Sequence, residues 1–308
     1  MKVGTFVSVA DAPIFIAVEK GYFAQQNIKV ELSQITTGAL ATTALASGAL
    51  DVAGNAPSAG LYNAIRQGID IKLVADKGSS PPGHGYMALV ARSEIAGEIK
   101  SASDLAGRTV AVAGFNTGVS NEVMMARLTE PAGVKANSVN FIQLSFADTL
   151  AGLGTGRVDV GVLVEPLVTQ AVEKGVGRIW RRVDEVYPGQ QYTVIIYGPG
   201  IVGRPDVADR FMVAYLQGAR FYNDALAGRV SREELVDILV KHTTVKDRSL
   251  YDKMVFPGIN PKGYLNVEGM AEDMKWYVQA GQMRKEVDLK KIVDHSYVDR
   301  ALKVIEGK

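Results

Sequence analysis

Cysteine is absent from all 308 residues, and that absence removes disulfide scaffolds, thiolate zinc sites, iron–sulfur clusters and cysteine nucleophiles together. Histidine is almost as scarce. His84, His242 and His295 stand far apart in the chain, which leaves little for a His-rich metal centre, so neither a metal nor a cofactor is expected. No apolar run approaches the ~18 uninterrupted residues of a membrane helix. A dominant charge sign is missing too: 34 Lys and Arg against 33 Asp and Glu give a net charge of +1. These charges lie in small mixed clusters, without the footprint of a nucleic-acid or polybasic membrane binder. What is present is a 47% apolar chain long enough, at ~150 residues per domain, for about two domains. Each would be large enough to bury a core without staples.

A charged, then apolar, then small-residue leader is also missing: Met1 and Lys2 run straight into Val3-Gly4-Thr5-Phe6-Val7, which reads as a strand. The chain is therefore either cytoplasmic or the product of a leader replaced by Met. Strand-like and helix-like segments alternate through its first two thirds, the pattern of βα units on a mixed or parallel sheet. After the first strand, Pro13 opens a helix over 14–20 and Gly21 closes it. Residues 28–35 alternate as a strand, Thr36-Thr37-Gly38 turns, and 39–47 is helical. A short strand at 50–53 leads through Gly54-Asn55-Ala56-Pro57 into a helix over 58–67. Residues 78–85 form the most turn-rich stretch. The last third reads as helices at 206–226, 270–282 and 292–305, with Ser231 and Glu234 as a capping box.

An internal repeat organises these segments. Leu45-Ala46-Ser47-Gly48-Ala49-Leu50-Asp51-Val52-Ala53 returns 108 residues later as Leu153-Gly154-Thr155-Gly156-Arg157-Val158-Asp159-Val160-Gly161. Each copy is followed by a Pro (Pro57, Pro166) that opens a helix ending in Gly (Gly68, Gly175). A period this long exceeds the ~20–50 residues of a solenoid unit, so the chain reads as two α/β lobes. Lobe 1 would be discontinuous, residues 1–88 and 198–308, and lobe 2 would span 89–197. Two β-rich crossings, near 87–94 and 192–197, would form a hinge.

Several of these residues resemble a known family. Ala12-Pro13-Ile14-Phe15-Ile16-Ala17-Val18-Glu19-Lys20-Gly21-Tyr22-Phe23 followed by Asn27-Ile28-Lys29-Val30-Glu31 is similar to the start of solute-binding proteins of the nitrate/sulfonate/taurine/bicarbonate type, which serve ABC importers. Ser103-Asp104-Leu105-Ala106-Gly107-Arg108-Thr109-Val110-Ala111-Val112 resembles that family's second-lobe start, and Val293-Asp294-His295-Ser296-Tyr297-Val298 its C-terminal motif. The resemblance covers nearly the whole chain and extends to thiamine-pyrimidine precursor-binding proteins. It implies a type II periplasmic binding protein fold, a ligand between the lobes, a membrane permease as partner and a periplasmic location. The lack of a leader and of a lipid-attachment Cys departs from an exported precursor and implies a trimmed chain. A monomer is expected.

Ligands of open α/β sheets bind beyond the carboxyl ends of the strands, where helix N-termini offer free N–H groups. The loops at those ends contain no Arg, and only Lys77 borders one, which disfavours a dianion such as phosphate for want of a bidentate partner. Gly114-Phe115-Asn116-Thr117-Gly118 is the strongest candidate: the glycines allow close approach, while Asn116 and Thr117 are donors or, alternatively, helix caps. Gly54-Asn55-Ala56-Pro57-Ser58 is its lobe 1 counterpart, with Asn55 and Ser58 in the same two roles. Thr37 and Gly38 form a weaker third loop. Asp11 complements a helix start or meets ligand; Glu165, before Pro166, matches a position at the cleft in the resembled family. His84 would donate to an anion or be solvated, and Phe115 and Tyr192 would supply flat walls or, alternatively, belong to the core.

This inventory favours a small zwitterion or amino-substituted heterocycle, with sulfonate-like and carboxylate solutes still open, bound without catalysis. The alternative is an enzyme on the same fold, of the thiamine-pyrimidine or menaquinone-pathway type. Absence of Cys disfavours the former, and Ser58 and Ser120 have no His beside them in sequence. A regulator's effector domain would require a helix-turn-helix and a basic patch, and neither is present.

Overall fold

The computed structural model describes residues 1–307. Its strands form two five-stranded sheets. The first runs β2 (Glu31–Gln34), β1 (Lys2–Thr5), β3 (Val52–Asn55), β10 (Gln191–Tyr197) and β4 (Lys72–Ser79). The second runs β7 (Asn140–Ile142), β6 (Thr109–Ala111), β8 (Val160–Val164), β5 (Met87–Arg92) and β9 (Gly177–Arg182). The orders correspond strand for strand. In each sheet four strands point the same way, and one antiparallel strand, β10 or β5, is inserted before the edge.

The repeated Asp has a physical role that is the same in both lobes. Asp51 Oδ2 accepts from the Lys2 N–H at 2.8 Å and Asp159 Oδ2 from the Thr109 N–H at 2.9 Å, tying each central strand to its parallel neighbour. The other carboxylate oxygen takes an Arg, Arg204 at 2.6 Å or Arg92 at 3.1 Å. Asp159→Ala therefore costs about 1–3 kcal/mol, the range for a charged hydrogen-bond partner, and a lower urea midpoint with an unchanged slope is the expected result.

The chain crosses between sheets twice, through residues 80–86 and 183–190, and β10 lies wholly in the first sheet. The expected boundary after residue 197 therefore moves back to before Gln191. Both sheets need an apolar strand of this kind, so composition does not assign it; its ladders to β3 and β4 do.

The helices Ala12–Glu19, Pro205–Leu226 and Ser296–Ile305 cover one face of the first sheet over Val3, Val52, Ile195, Phe211 and Tyr215. Two of these helices come from the last third of the chain. A Cβ on Gly218 would lie 2.1 Å from the Pro13 carbonyl oxygen, so two of these helices meet at backbone distance. The other face is covered by Gly38–Ala46, Ala59–Arg66 and Val267–Gln279, which bury Leu45, Tyr62 and Tyr277. In lobe 2, Ser120–Thr129 covers one face and Phe146–Thr155 with Leu167–Glu173 the other.

Two expectations differ in detail. The helix expected at 292–305 is two pieces, Leu289–Ile292 and Ser296–Ile305, because Asp294 donates its N–H to Leu73 O and extends the backbone onto β4. The capping box at Ser231 is half made: Ser231 Oγ accepts from the Glu234 N–H, but the Glu234 carboxylate pairs with Lys20 at 2.6 Å.

Candidate functional site

The loops that follow β3 and β6 meet across the lobes. Ala59, the first residue of Ala59–Arg66, donates its N–H to the Gly118 carbonyl oxygen at 2.9 Å. Gly118 has φ +71°, and a Cβ there would lie 2.3 Å from the Ala59 Cβ, so only glycine permits this approach. The lobe 2 loop thereby caps a lobe 1 helix whose first N–H groups have no partner within it.

The lobe 1 candidates are spent on building their own loops. Buried Asn55 donates from Nδ2 to Gly38 O (3.0 Å) and Thr42 Oγ1 (3.1 Å), while its Oδ1 accepts from the Ala56 N–H at 2.8 Å. A Cβ on Gly38 would lie 2.4 Å from Asn55 Oδ1. Gly38 is therefore the seat of Asn55. Thr37 Oγ1 caps Gly38–Ala46 by accepting from the Leu40 N–H, and Ser58 Oγ caps Ala59–Arg66 by accepting from the Leu61 N–H. Of the two roles the sequence offered Ser58, the helix cap is the one formed.

In lobe 2 the loop at 114–118 forms an anion cradle, and it is filled. Asn116 and Gly118, at φ +61° and +71°, turn successive N–H groups inward as a nest of the kind that holds anions. The occupant is the Glu122 carboxylate. Its Oε2 accepts from Asn116 N–H at 2.8 Å; its Oε1 accepts from Thr117 (3.1 Å), Gly118 (2.7 Å) and Val119 (3.3 Å). A fifth donor comes from lobe 1, Gln282 Nε2 to Oε2 at 2.8 Å. Thr117 Oγ1 donates to Gly114 O, and Phe115 stacks on Phe141 at 5.0 Å within the lobe 2 core. Phe115 thus packs, partly buried, against the lobe 2 core.

Around the crossings the acids are paired. Asp11 and Lys77 form an ion pair at 2.8 Å with side chains 0% and 2% exposed, and Asp11 Oδ2 also accepts from the Ser8 N–H and Oγ. Gly54 makes this possible, since a Cβ there would lie 2.4 Å from the Lys77 Cε. Glu165 accepts from Thr169 N–H and Oγ1 at 3.0 and 2.8 Å, and meets Arg182 Nη1 at 3.4 Å. It also accepts from the Val255 N–H at 3.3 Å, so it joins lobe 2 to a lobe 1 segment. His84 Nδ1 lies 3.1 Å from Phe256 O; a carbonyl oxygen only accepts, so Nδ1 carries the proton. Tyr192 stacks on Tyr86, centroids 6.1 Å apart, and burial raises both hydroxyl pKa values. The Tyr192 hydroxyl is buried without a hydrogen-bond partner among the described residues.

A third contact joins Val267–Gln279 to Ser120–Thr129. Tyr187 Oη donates to Asp273 Oδ1 at 2.7 Å, Gln190 Nε2 to Ser120 O at 2.9 Å and Trp276 Nε1 to Glu130 Oε1 at 3.0 Å. Arg127 lies 3.9 Å over the Tyr187 ring and pairs with Glu272. Burial pushes the Asp273 carboxyl up to about 7, against the lowering effect of its hydrogen bond from Tyr187. A groove of about 440 Å³ opens here, lined by Val123, Arg127, Glu130, Glu272 and Trp276. It is built from helix flanks rather than strand ends.

Sequence reasoning missed Glu122, Gln282, Arg182 and Asp273. Glu122 had a local signal, a Glu three residues after the cap position, which reaches back to N–H groups ahead of its helix. The other three reach the lobe contact from remote segments and had none.

A family profile described as NMT1/THI5 like matches residues 9–225. No curated protein matches the sequence. Among solved structures, the chain is similar to the ligand-binding component of an ABC-type import system from Staphylococcus aureus, at 17% identity and TM-score 0.76, covering 98% of both chains. The periplasmic aliphatic sulphonate-binding protein SsuA from Escherichia coli matches at 19% identity and TM-score 0.75, over 96% of this chain and 91% of that one. The periplasmic nitrate-binding protein NrtA from Synechocystis matches at 15% identity and TM-score 0.78, over 100% and 89%. These likenesses show a two-lobed periplasmic binding protein fold.

Proposed function

The chain belongs to the NMT1/THI5-like family, and from that membership and its two converging sheets we propose that it is the solute-binding component of an ABC-type importer. The observation that carries this reading is the meeting of strand-end loops across the lobes at Ala59 and Gly118, with the chain passing between the sheets through residues 80–86 and 183–190. Two rigid lobes on two short crossings form a hinge. A small organic solute enclosed between them is the cargo, and a membrane permease receives the closed form. The similar structures are described as ligand-, sulphonate- and nitrate-binding, the latter two as periplasmic, which supports a periplasmic location and binding without chemistry. No helix among the described residues is long and apolar enough to cross a membrane.

Native mass spectrometry of the purified protein, followed by unfolding to release what is bound, tests this reading. The expected outcome is a stoichiometric small molecule that leaves with the mass it had when bound, before and after prolonged incubation. Conversion of that molecule to a product would replace the binding component by an enzyme on the same fold.

A further inference from the structure

We propose that Glu122 is a resident anion that determines specificity: it fills the nest of lobe 2 and makes the cleft select against negatively charged solutes. The proposal rests on the solute-binding reading above and narrows the class of cargo to solutes without net negative charge.

Four successive N–H groups, from Asn116 to Val119, and the positive end of Ser120–Thr129 converge on one point. Such an arrangement holds a carboxylate, a sulfonate or nitrate equally well, because it reads charge and oxygen acceptors rather than a carbon skeleton. Here the chain supplies the acceptor itself. The Glu122 carboxylate has five donors, its residue is 4% exposed, and one donor belongs to the opposite lobe. An anionic solute arriving at this loop meets a negative charge where the amides would otherwise attract it.

The cations at the lobe contact do not compensate. Lys77 is paired with Asp11, Arg182 with Glu165, Arg127 with Glu272 and Lys253 with Glu173. The facing helix start in lobe 1 is committed as well, because the Ala59 N–H goes to Gly118 O. A neutral or cationic solute meets no such opposition. The Gln282 bridge adds a link to closure, since the filled nest offers lobe 1 an acceptor that an empty nest lacks.

The test follows the backbone amides of Asn116, Thr117, Gly118 and Val119 in the ¹⁵N-labelled full chain during titration with sodium acetate, methanesulfonate and nitrate at constant ionic strength. The wild type is expected to show no saturable shift at these amides. Glu122→Ala empties the nest, and at least about tenfold tighter anion binding is expected there, the equivalent of one charge-assisted hydrogen bond. Glu122→Gln fills the same space without the charge and covers the case in which the alanine variant does not fold; a smaller gain of about threefold is expected as acetate competes with a neutral amide. Saturable anion binding at these amides in the wild type, or no gain in either variant, overturns the proposal. Acetate, methanesulfonate and nitrate are used without knowledge of the cargo, so failure of the binding-component reading in the mass-spectrometry experiment is registered separately.

Discussion

Asp11→Ala is expected to lower the stability of the protein by about 3–5 kcal/mol, the range for removing one partner of a buried ion pair. The Lys77 ammonium would be left 2% exposed beside the space its carboxylate had filled. Attraction between the two charges in a poorly screened interior balances the cost of taking both out of water, and one charge alone has only the cost. Lys77→Met is milder, because Asp11 keeps the Ser8 N–H and hydroxyl as donors. The double variant Asp11→Ala/Lys77→Met should recover more than half of the loss. Urea denaturation of the three variants measures this. A double variant no more stable than Asp11→Ala would show that the loop at Ser8, rather than the ion pair, carries the energy.

Stability should also fall as pH rises from about 4 to 7, and Asp273→Asn should flatten that fall. The Asp273 carboxyl titrates near 7 in the folded protein, against an ordinary value of 3.8. A raised pKa means that the folded state holds the proton more tightly than the unfolded chain. The stabilisation is complete below the unfolded value and is lost as pH passes through the folded one, about 4 kcal/mol in total at 1.36 kcal/mol per unit. Asparagine stays neutral at every pH and still accepts from the Tyr187 hydroxyl. The variant should therefore be more stable than wild type at pH 8, with the difference closing near pH 4. Asp76, raised by burial to about 6, contributes a fall of the same sign that the substitution leaves in place. Denaturation midpoints at pH 4.5, 6 and 8 read both slopes, and a destabilised Asp273→Asn at pH 8 would refute the assignment.

Much of the fold was legible in the residues. Pro13, Gly21, Ser58 and Gly68 mark helix ends by local backbone chemistry, and those ends form near where the sequence places them. The repeat of Asp51 at Asp159 announced two equivalent sheets because each copy performs one task, holding a first strand to a third. The candidate site was legible only as a place. Loops at 54–58 and 114–118 do meet, but the donors expected for a ligand are consumed. Asn55 binds Gly38 and Thr42, and the amides of 116–119 bind Glu122.

By itself, then, the sequence determined the absence of thiol chemistry, the two-lobed α/β plan and the loops where the lobes face each other. The first follows from composition, the second from a repeat at 108 residues and the third from signals within a few residues. Tertiary structure alone decided which sheet received Gln191–Tyr197, which carboxylates became paired, and that the lobe 2 nest holds the chain's own anion with Gln282 beside it. The physical reason is distance along the chain. Gln282 lies 160 residues from Glu122 and Lys77 lies 66 from Asp11, so those contacts depend on how the lobes pack, which local periodicity does not encode.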